Sequence, residues 1–166
     1  MKLTLIAAVS DNNVIGLDNK VPWRIKEDMI RFKELTTGHP VIMGRKTYES
    51  IPEKFRPLPD RKNIILSNTL KQIDGIYIAN NVRDAINFAN EEESYIMGGG
   101  EIYKIFLPLV NKIELTKVHT SCEGDTFFPA IKWEEWDLIN EEKKVNEGGL
   151  GFSFLTYTRN SKNQQF

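Results

Sequence analysis

The sequence is poor in the residues that disulfide, metal and membrane chemistry require. It contains one cysteine, Cys122, and two histidines. A single thiol closes no intramolecular disulfide, which points to a reducing compartment. Cys122 and His119 share a metal-like spacing, but without further thiols nearby the ligands are too few for zinc. An excess of either charge is also missing. The 22 Lys and Arg against 23 Asp and Glu leave a net charge of −1, which removes the electrostatic case for nucleic acid or a membrane surface. No apolar run approaches transmembrane length. The opening "MKLTLIAAVS" has seven apolar-run residues broken by Thr4, and Lys2 is its whole basic region. It reads as a buried first strand rather than a signal peptide, and a cytoplasmic protein is expected.

What is present suits one globular domain. The chain has 166 residues, of which 40% are apolar and 27% charged, enough to bury roughly 68–70% of the unfolded surface. Short β-rich runs recur at 3–9, 41–43, 63–67, 76–79, 95–97, 113–118 and 152–158. Helical patterns at 25–36, 46–51, 82–91 and 101–107 lie between several of them. The early runs lack polar alternation, as strands covered on both faces of a mostly parallel sheet do. Trp136–Glu142 and Phe152–Thr158 flank "KVNEGGLG", which predicts an antiparallel hairpin at the sheet edge. A single α/β domain over 1–160 and a polar tail over 161–166 are therefore expected.

Two strands end in glycine and run straight into helices: "VIMGRKTYES" at Gly44 and "YIMGGGEIYKIF" at Gly98, Gly99 and Gly100. Glycine there lets backbone approach a ligand, and ligands of parallel sheets sit at the carboxyl ends of strands. Neither junction is a standard fingerprint. Tyr103 breaks G-x-G-x-x-G, and His39 stands where a Walker loop needs its first glycine. Arg45 and Lys46 occupy a first helical turn, where the dipole disfavours cations. With Thr47 they form a donor cluster suited to a phosphate monoester.

The segment "PWRIKEDMIRFKELT" reads as an amphipathic helix in which Ile25, Met29, Phe32 and Leu35 share an arc of about 120°. Lys26, Glu27, Arg31, Lys33 and Glu34 project the other way. Asp28 falls on the apolar face, where an unpaired carboxylate costs several kcal/mol. It either pairs with a buried base, caps a backbone, or receives a flat ligand whose N–C–N edge offers two parallel donors.

Six segments, in order, resemble dihydrofolate reductases: "LIAAVSDNNVIGLDNKVPW", "KEDMIRFKELT", "HPVIMGRKTYESI", "RPLPDRKNIILS", "YIMGGGEIY" and "ELTKVHTSCEGDTFFP". They cover residue 3 to about residue 129, and the last third matches mainly in strand pattern. The resemblance implies a central eight-stranded, mostly parallel sheet flanked by about four helices, and NADPH-dependent reduction of 7,8-dihydrofolate. It also implies a monomer that binds antifolate inhibitors. Asp28, Trp23 and Tyr103 would form the catalytic set, with Asp28 holding the pteridine N3 and 2-amino group and Thr116 joining it. Ile6, Met29, Phe32 and Ile51 would wall the pteridine and benzoyl rings. Leu58 would lie beside the benzoyl group, and Arg61 would grip the glutamate α-carboxylate.

On the cofactor side, Ala8 and a loop from Val14 to Trp23 would close over the nicotinamide, through Val14, Ile15, Gly16, Leu17, Asp18, Asn19 and Lys20. Arg45, Lys46, Ser67 and Asn68 match the pocket for the adenosine ribose and its 2′-phosphate. Thr47 and Gly98, Gly99, Gly100, Glu101 and Ile102 would line the pyrophosphate, with Gly44 and Met97 beside them and Tyr103 near the nicotinamide. Gly98–Gly99 matches the family's cis Gly–Gly bond.

Two features depart from the family pattern. "SIPEKFRPLPDR" is longer than the short bacterial form, which leaves Lys54 and Arg56 open to a role at the glutamate tail. Arg31 stands where the family often has an aromatic or apolar residue, and by periodicity it points outward, to the rim. A thymidylate synthase fusion is not expected, since the chain ends at Phe166. The riboflavin-pathway reductases, a rival family, do not place an acid in this helix pattern.

Overall fold

Alternating apolar and turn-forming segments give ten strands and four α-helices among the described residues, 1–161, of the computed structural model. The tail assigned to 161–166 lies, apart from Ser161, outside them. In chain order the elements are β1 (Lys2–Ser10), β2 (Val14–Gly16), α1 (Lys26–Thr36), β3 (Val41–Gly44), α2 (Arg45–Ser50), β4 (Asn63–Leu66), β5 (Ile76–Ala79), α3 (Val82–Ala89), β6 (Glu93–Ile96), α4 (Gly100–Phe106), β7 (Lys112–Val118), β8 (Thr126–Phe127), β9 (Trp136–Val145) and β10 (Gly151–Arg159). No helix among the described residues is long and apolar enough to cross a membrane.

Eight strands form one sheet in the order β5-β4-β3-β6-β1-β7-β10-β9. All pairings from β5 to β7 are parallel, and β10 runs antiparallel to both β7 and β9. The chain moves outward from β1 through β3 to β5, then returns to insert β6 between β3 and β1. The carboxyl ends of β1, β3 and β6 thus open on one crevice, the usual ligand position in such sheets.

Side-chain alternation along β1 separates two cores. Leu3, Leu5, Ala7 and Val9 join Ala85, Ala89, Tyr103 and Phe106 of α3 and α4. Ile6 joins the opposite face with Val41, Met43, Ile65 and Tyr95, where Phe32 and Leu35 of α1 and Tyr48 of α2 pack.

Several boundaries move for identifiable reasons. α3 stops at Ala89, before the expected Glu91, because Asn90 turns left-handed at φ 35°. β9 continues past Glu142 to Val145, since its ladder with β10 persists to the Val145–Gly151 pair. The hairpin is closed by Asn146, whose N–H donates to the Leu150 carbonyl and whose Oδ1 accepts from the Leu150 N–H, both at 2.9 Å. The expected loop from Val14 begins as strand β2, which pairs antiparallel with β8.

Arg31 requires a correction. Helical periodicity sends it outward, yet its Nη2 donates to Glu114 Oε2 at 2.6 Å and only 19% of the side chain is exposed. A long flexible side chain bends around the helix shoulder when an anion waits beneath. Conversely, Met29 stays 60% exposed although Ile25 on the same arc is buried and Phe32 and Leu35 pack against the core, so the apolar arc of α1 is covered unevenly.

Candidate active site

The first turn of α1 leans over β7, and this brings Asp28 onto Thr116. The Thr116 hydroxyl donates to Asp28 Oδ1 at 2.6 Å. Burial pushes the Asp28 carboxyl above the ordinary carboxylate range, against the downward pull of the Thr116 hydrogen bond and the Arg31 charge. Tyr103 comes from α4, is buried, and donates its hydroxyl to the Ile6 carbonyl at 2.7 Å. Burial and then the Asp28 charge push its phenol upward, so it remains a neutral donor.

Ile6, Phe32, Ile51 and Leu58 belong to one apolar cluster beside this acid, while Met29 stands outside it on the exposed side of α1. Arg61 closes the far end. Its Nη1 reaches Thr36 Oγ1 at 3.1 Å and its Nε the Pro59 carbonyl at 2.8 Å. Its Nη2 has no hydrogen-bond partner among the described residues.

A cavity of about 1070 Å³ opens at the carboxyl ends of the parallel strands; Asp28 and Thr116 are not among its lining, but Tyr103, whose phenol feels the Asp28 charge, is. One wall holds Ala8, Ile15, Gly16, Asn19 and Lys20; another holds Gly44, Arg45, Lys46, Thr47 and Ser67; the third runs from Met97 through Gly99, Gly100, Glu101 and Ile102 to Tyr103. Val14, Leu17, Asp18, Asn68 and Gly98 do not line it. Val14 is 1% exposed and packs beneath. Gly98 is covered for a different reason. Its φ is +106°, and a Cβ there would sit 3.0 Å from the Tyr103 ring. The Gly98–Gly99 peptide is cis, and the Gly98 carbonyl accepts from the Gly44 N–H at 2.8 Å. The two glycine junctions therefore lock to each other as well as facing the cavity.

Sequence reasoning missed Ser50, Leu66, Lys104, Asp125, Thr126, Phe127 and Pro129, which also line it. The Asp18 N–H donates to Asp125 Oδ2 at 3.0 Å, and with the Thr126 hydroxyl it holds the Asp125 carboxyl below the usual range. The motif "EGDTFFP" was a visible signal, but only the β2–β8 pairing carries it to the cavity. The donor set fits a phosphorylated dinucleotide. Arg45 is 44% exposed with only a 3.5 Å ion pair to Glu49, Lys46 is exposed beside it, and Ala8, Ile15, Met97 and Ile102 supply apolar lining suited to a flat ring.

The family model for dihydrofolate reductase matches residues 2–159. The chain belongs to the dihydrofolate reductase family. It is 46% identical over 162 residues to the dihydrofolate reductase of Haemophilus influenzae, covering 96% of this chain and 99% of the relative. The Bacillus subtilis dihydrofolate reductase is 33% identical, with 98% and 97% covered. A solved dihydrofolate reductase from Enterococcus faecalis, complexed with NADP(H) and RAB-propyl, superposes with a TM-score of 0.87 at 32% identity, covering 96% of this chain and 97% of that one.

Within this dihydrofolate reductase fold the lengthened loop has a structural occupation. Arg56 Nη1 donates to the Glu49 carbonyl at 3.1 Å and the Tyr48 carbonyl at 3.4 Å, closing the carboxyl end of α2. Lys54 lies 4.9 Å from the Phe55 ring centre. Trp23 is half-buried on Ile25, Val118, Phe152 and Phe154, outside the cavity lining.

Proposed function

We propose that this protein reduces 7,8-dihydrofolate to 5,6,7,8-tetrahydrofolate, with hydride to C6 and a proton to N5, and so feeds one-carbon metabolism and thymidylate synthesis. The observation that carries the reading is the Thr116–Asp28 hydrogen bond, linked through Tyr103 to a cavity of dinucleotide size. Two oxygens on one carboxylate match the parallel donors of a 2-amino pyrimidine edge. Asp28 holds the pteridine N3 and 2-amino group, and Thr116 fixes the carboxylate rotamer. Its raised proton affinity brings the acid closer to the working pH and supports protonation at N5.

Ile6, Phe32, Ile51 and Leu58 exclude water and sandwich the rings, while the open edge at Met29 admits them. Arg61 offers its unpartnered Nη2 to the glutamate α-carboxylate. Arg45, Lys46, Ser67 and Asn68 hold the 2′-phosphate of NADPH, and Thr47 with Gly99 to Ile102 borders its pyrophosphate. When bound, NADPH supplies the hydride; the protein supplies alignment and a dry pocket. Tyr103, kept neutral, orients the backbone of Ile6 at the ring's edge. Trp23 steadies the segment that covers the nicotinamide end.

The test is the fall of NADPH absorbance with dihydrofolate, for the wild type and Asp28→Asn, across pH. Turnover by the wild type with a loss of about 10²–10⁴-fold in the variant at neutral pH, partly recovered in acid, supports the reading. Equal turnover by both overturns the role of Asp28. A wild type that binds NADPH yet leaves dihydrofolate untouched overturns the substrate.

A further inference from the structure

The reaction above leaves a buried carboxylate, Glu114, unused. Glu114 lies on β7 two residues before Thr116, so both side chains leave the sheet on one face, and Glu114 is only 4% exposed. Its Oε2 accepts from Arg31 Nη2 at 2.6 Å and from Thr156 Oγ1 at 2.8 Å, and its Oε1 lies 3.0 Å from Lys112 Nζ. Arg31 follows Asp28 by three residues on α1, hence on the neighbouring position one turn along. Its guanidinium also sits 4.5 Å over the Phe154 ring of β10. An acid and a cation one turn apart on α1 thus meet their partners two residues apart on β7: Thr116 takes Asp28, and Glu114 takes Arg31.

We propose that Arg31, clamped by Glu114, is a positioning residue that sets both the seat of Asp28 against β7 and the pH at which Asp28 gains its proton. The inference rests on the proposed function in taking Asp28 as the substrate-holding acid.

The charges around Asp28 can be counted element by element. α1 contributes Arg31. β7 contributes the uncharged Thr116, then Glu114 and Lys112. α4 contributes the neutral Tyr103, and β6 contributes Tyr95, a phenol kept neutral by burial and by the charges of Glu93 and Glu114. β10 contributes Phe154 and Thr156, and beyond Phe154 stands Lys144 of β9, paired with Glu142 at 3.1 Å. Removing Arg31 leaves two carboxylates over one face of the sheet, with Lys112 held by Glu114. Like charge then favours protonated Asp28. Neutralising Glu114 does the reverse, because Arg31 and Lys112 lose their anion and their field turns to Asp28. A merely structural tie between α1 and the sheet gives no such opposition, since cutting it from either end loosens the same contact.

The experiment titrates the Asp28 carboxyl carbon by carbon-13 NMR in the full chain, without substrate, alongside turnover profiles. The proteins are wild type, Arg31→Met, Arg31→Lys, Glu114→Gln and the double variant Arg31→Met/Glu114→Gln. The Asp28 titration should move up by about one pH unit in Arg31→Met and down in Glu114→Gln. It should lie between these in the double variant and near wild type in Arg31→Lys, with the pH profile of kcat following. Shifts of the same direction in both single variants, or no shift in either, overturn the proposal. Should Arg31→Met fail to fold, Glu114→Gln decides alone: an upward or absent shift overturns it. Opposite shifts in a protein that leaves dihydrofolate untouched would overturn the proposed reaction and not this inference.

Discussion

Thr116 and Asp28, 88 positions apart in the chain, meet at 2.6 Å between the middle of β7 and the first turn of α1. The hydrogen bond compensates only part of what burial takes from the carboxylate, and a functional group held at a thermodynamic cost is the result.

That cost is measurable. Asp28 binds its proton more tightly in the folded protein than in the unfolded chain, because burial outweighs Thr116 and Arg31. A carboxyl raised in this way contributes stability below its unfolded pKa and loses it as pH rises through its folded value. Asp28→Asn is therefore expected to be more stable than wild type at neutral pH, by about 0.5–2 kcal/mol. The difference should close toward about pH 3, below the unfolded carboxylate pKa. Urea unfolding of both proteins over that range checks it; a pH-independent difference would sink the burial argument.

Arg45 and Lys46 distinguish the two nicotinamide dinucleotides. Each, changed to Ala, should weaken NADPH by roughly 1.5–3 kcal/mol through the loss of a charge-assisted contact, while NADH binding stays as it was. Dissociation constants for both dinucleotides decide the point. Equal weakening of NADH would remove the 2′-phosphate from this corner of the cavity.

Gly98 has no room for a side chain. At φ +106°, with the Tyr103 ring 3.0 Å from a Cβ placed there, Gly98→Ala should cost roughly 2–4 kcal/mol from backbone strain and a displaced ring. Thermal unfolding measures the loss. The activity of the surviving protein should also fall, since Tyr103 and its bond to Ile6 must shift. A variant as stable as wild type would contradict the geometry.

Arg56 is assigned to α2 rather than to the glutamate tail. Arg56→Ala should lower stability by about 0.5–1.5 kcal/mol by uncapping the Tyr48 and Glu49 carbonyls, with KM for dihydrofolate unchanged. A raised KM without a stability loss would return Arg56 to the substrate.

Local pattern was sufficient for much of this protein. The strands are legible because apolar β-rich runs are short and bounded by turn residues. The glycine junctions are legible because few other roles suit glycine between strand and helix, and Asp28 because one carboxylate breaks a 3.6-residue period. The directions of Arg31 and Glu114, the exposure of Met29, and the arrival of Asp125 at the cavity depended on the folded chain. Arg31, Glu114 and Asp125 are settled by partners that no window of neighbouring residues contains. Arg31 and Glu114 are 83 positions apart, and β2 reaches β8 across more than half the chain. Periodicity gives the direction in which a Cβ leaves its own helix or strand. The direction a long charged side chain then takes is decided by where, in three dimensions, its counter-charge lies.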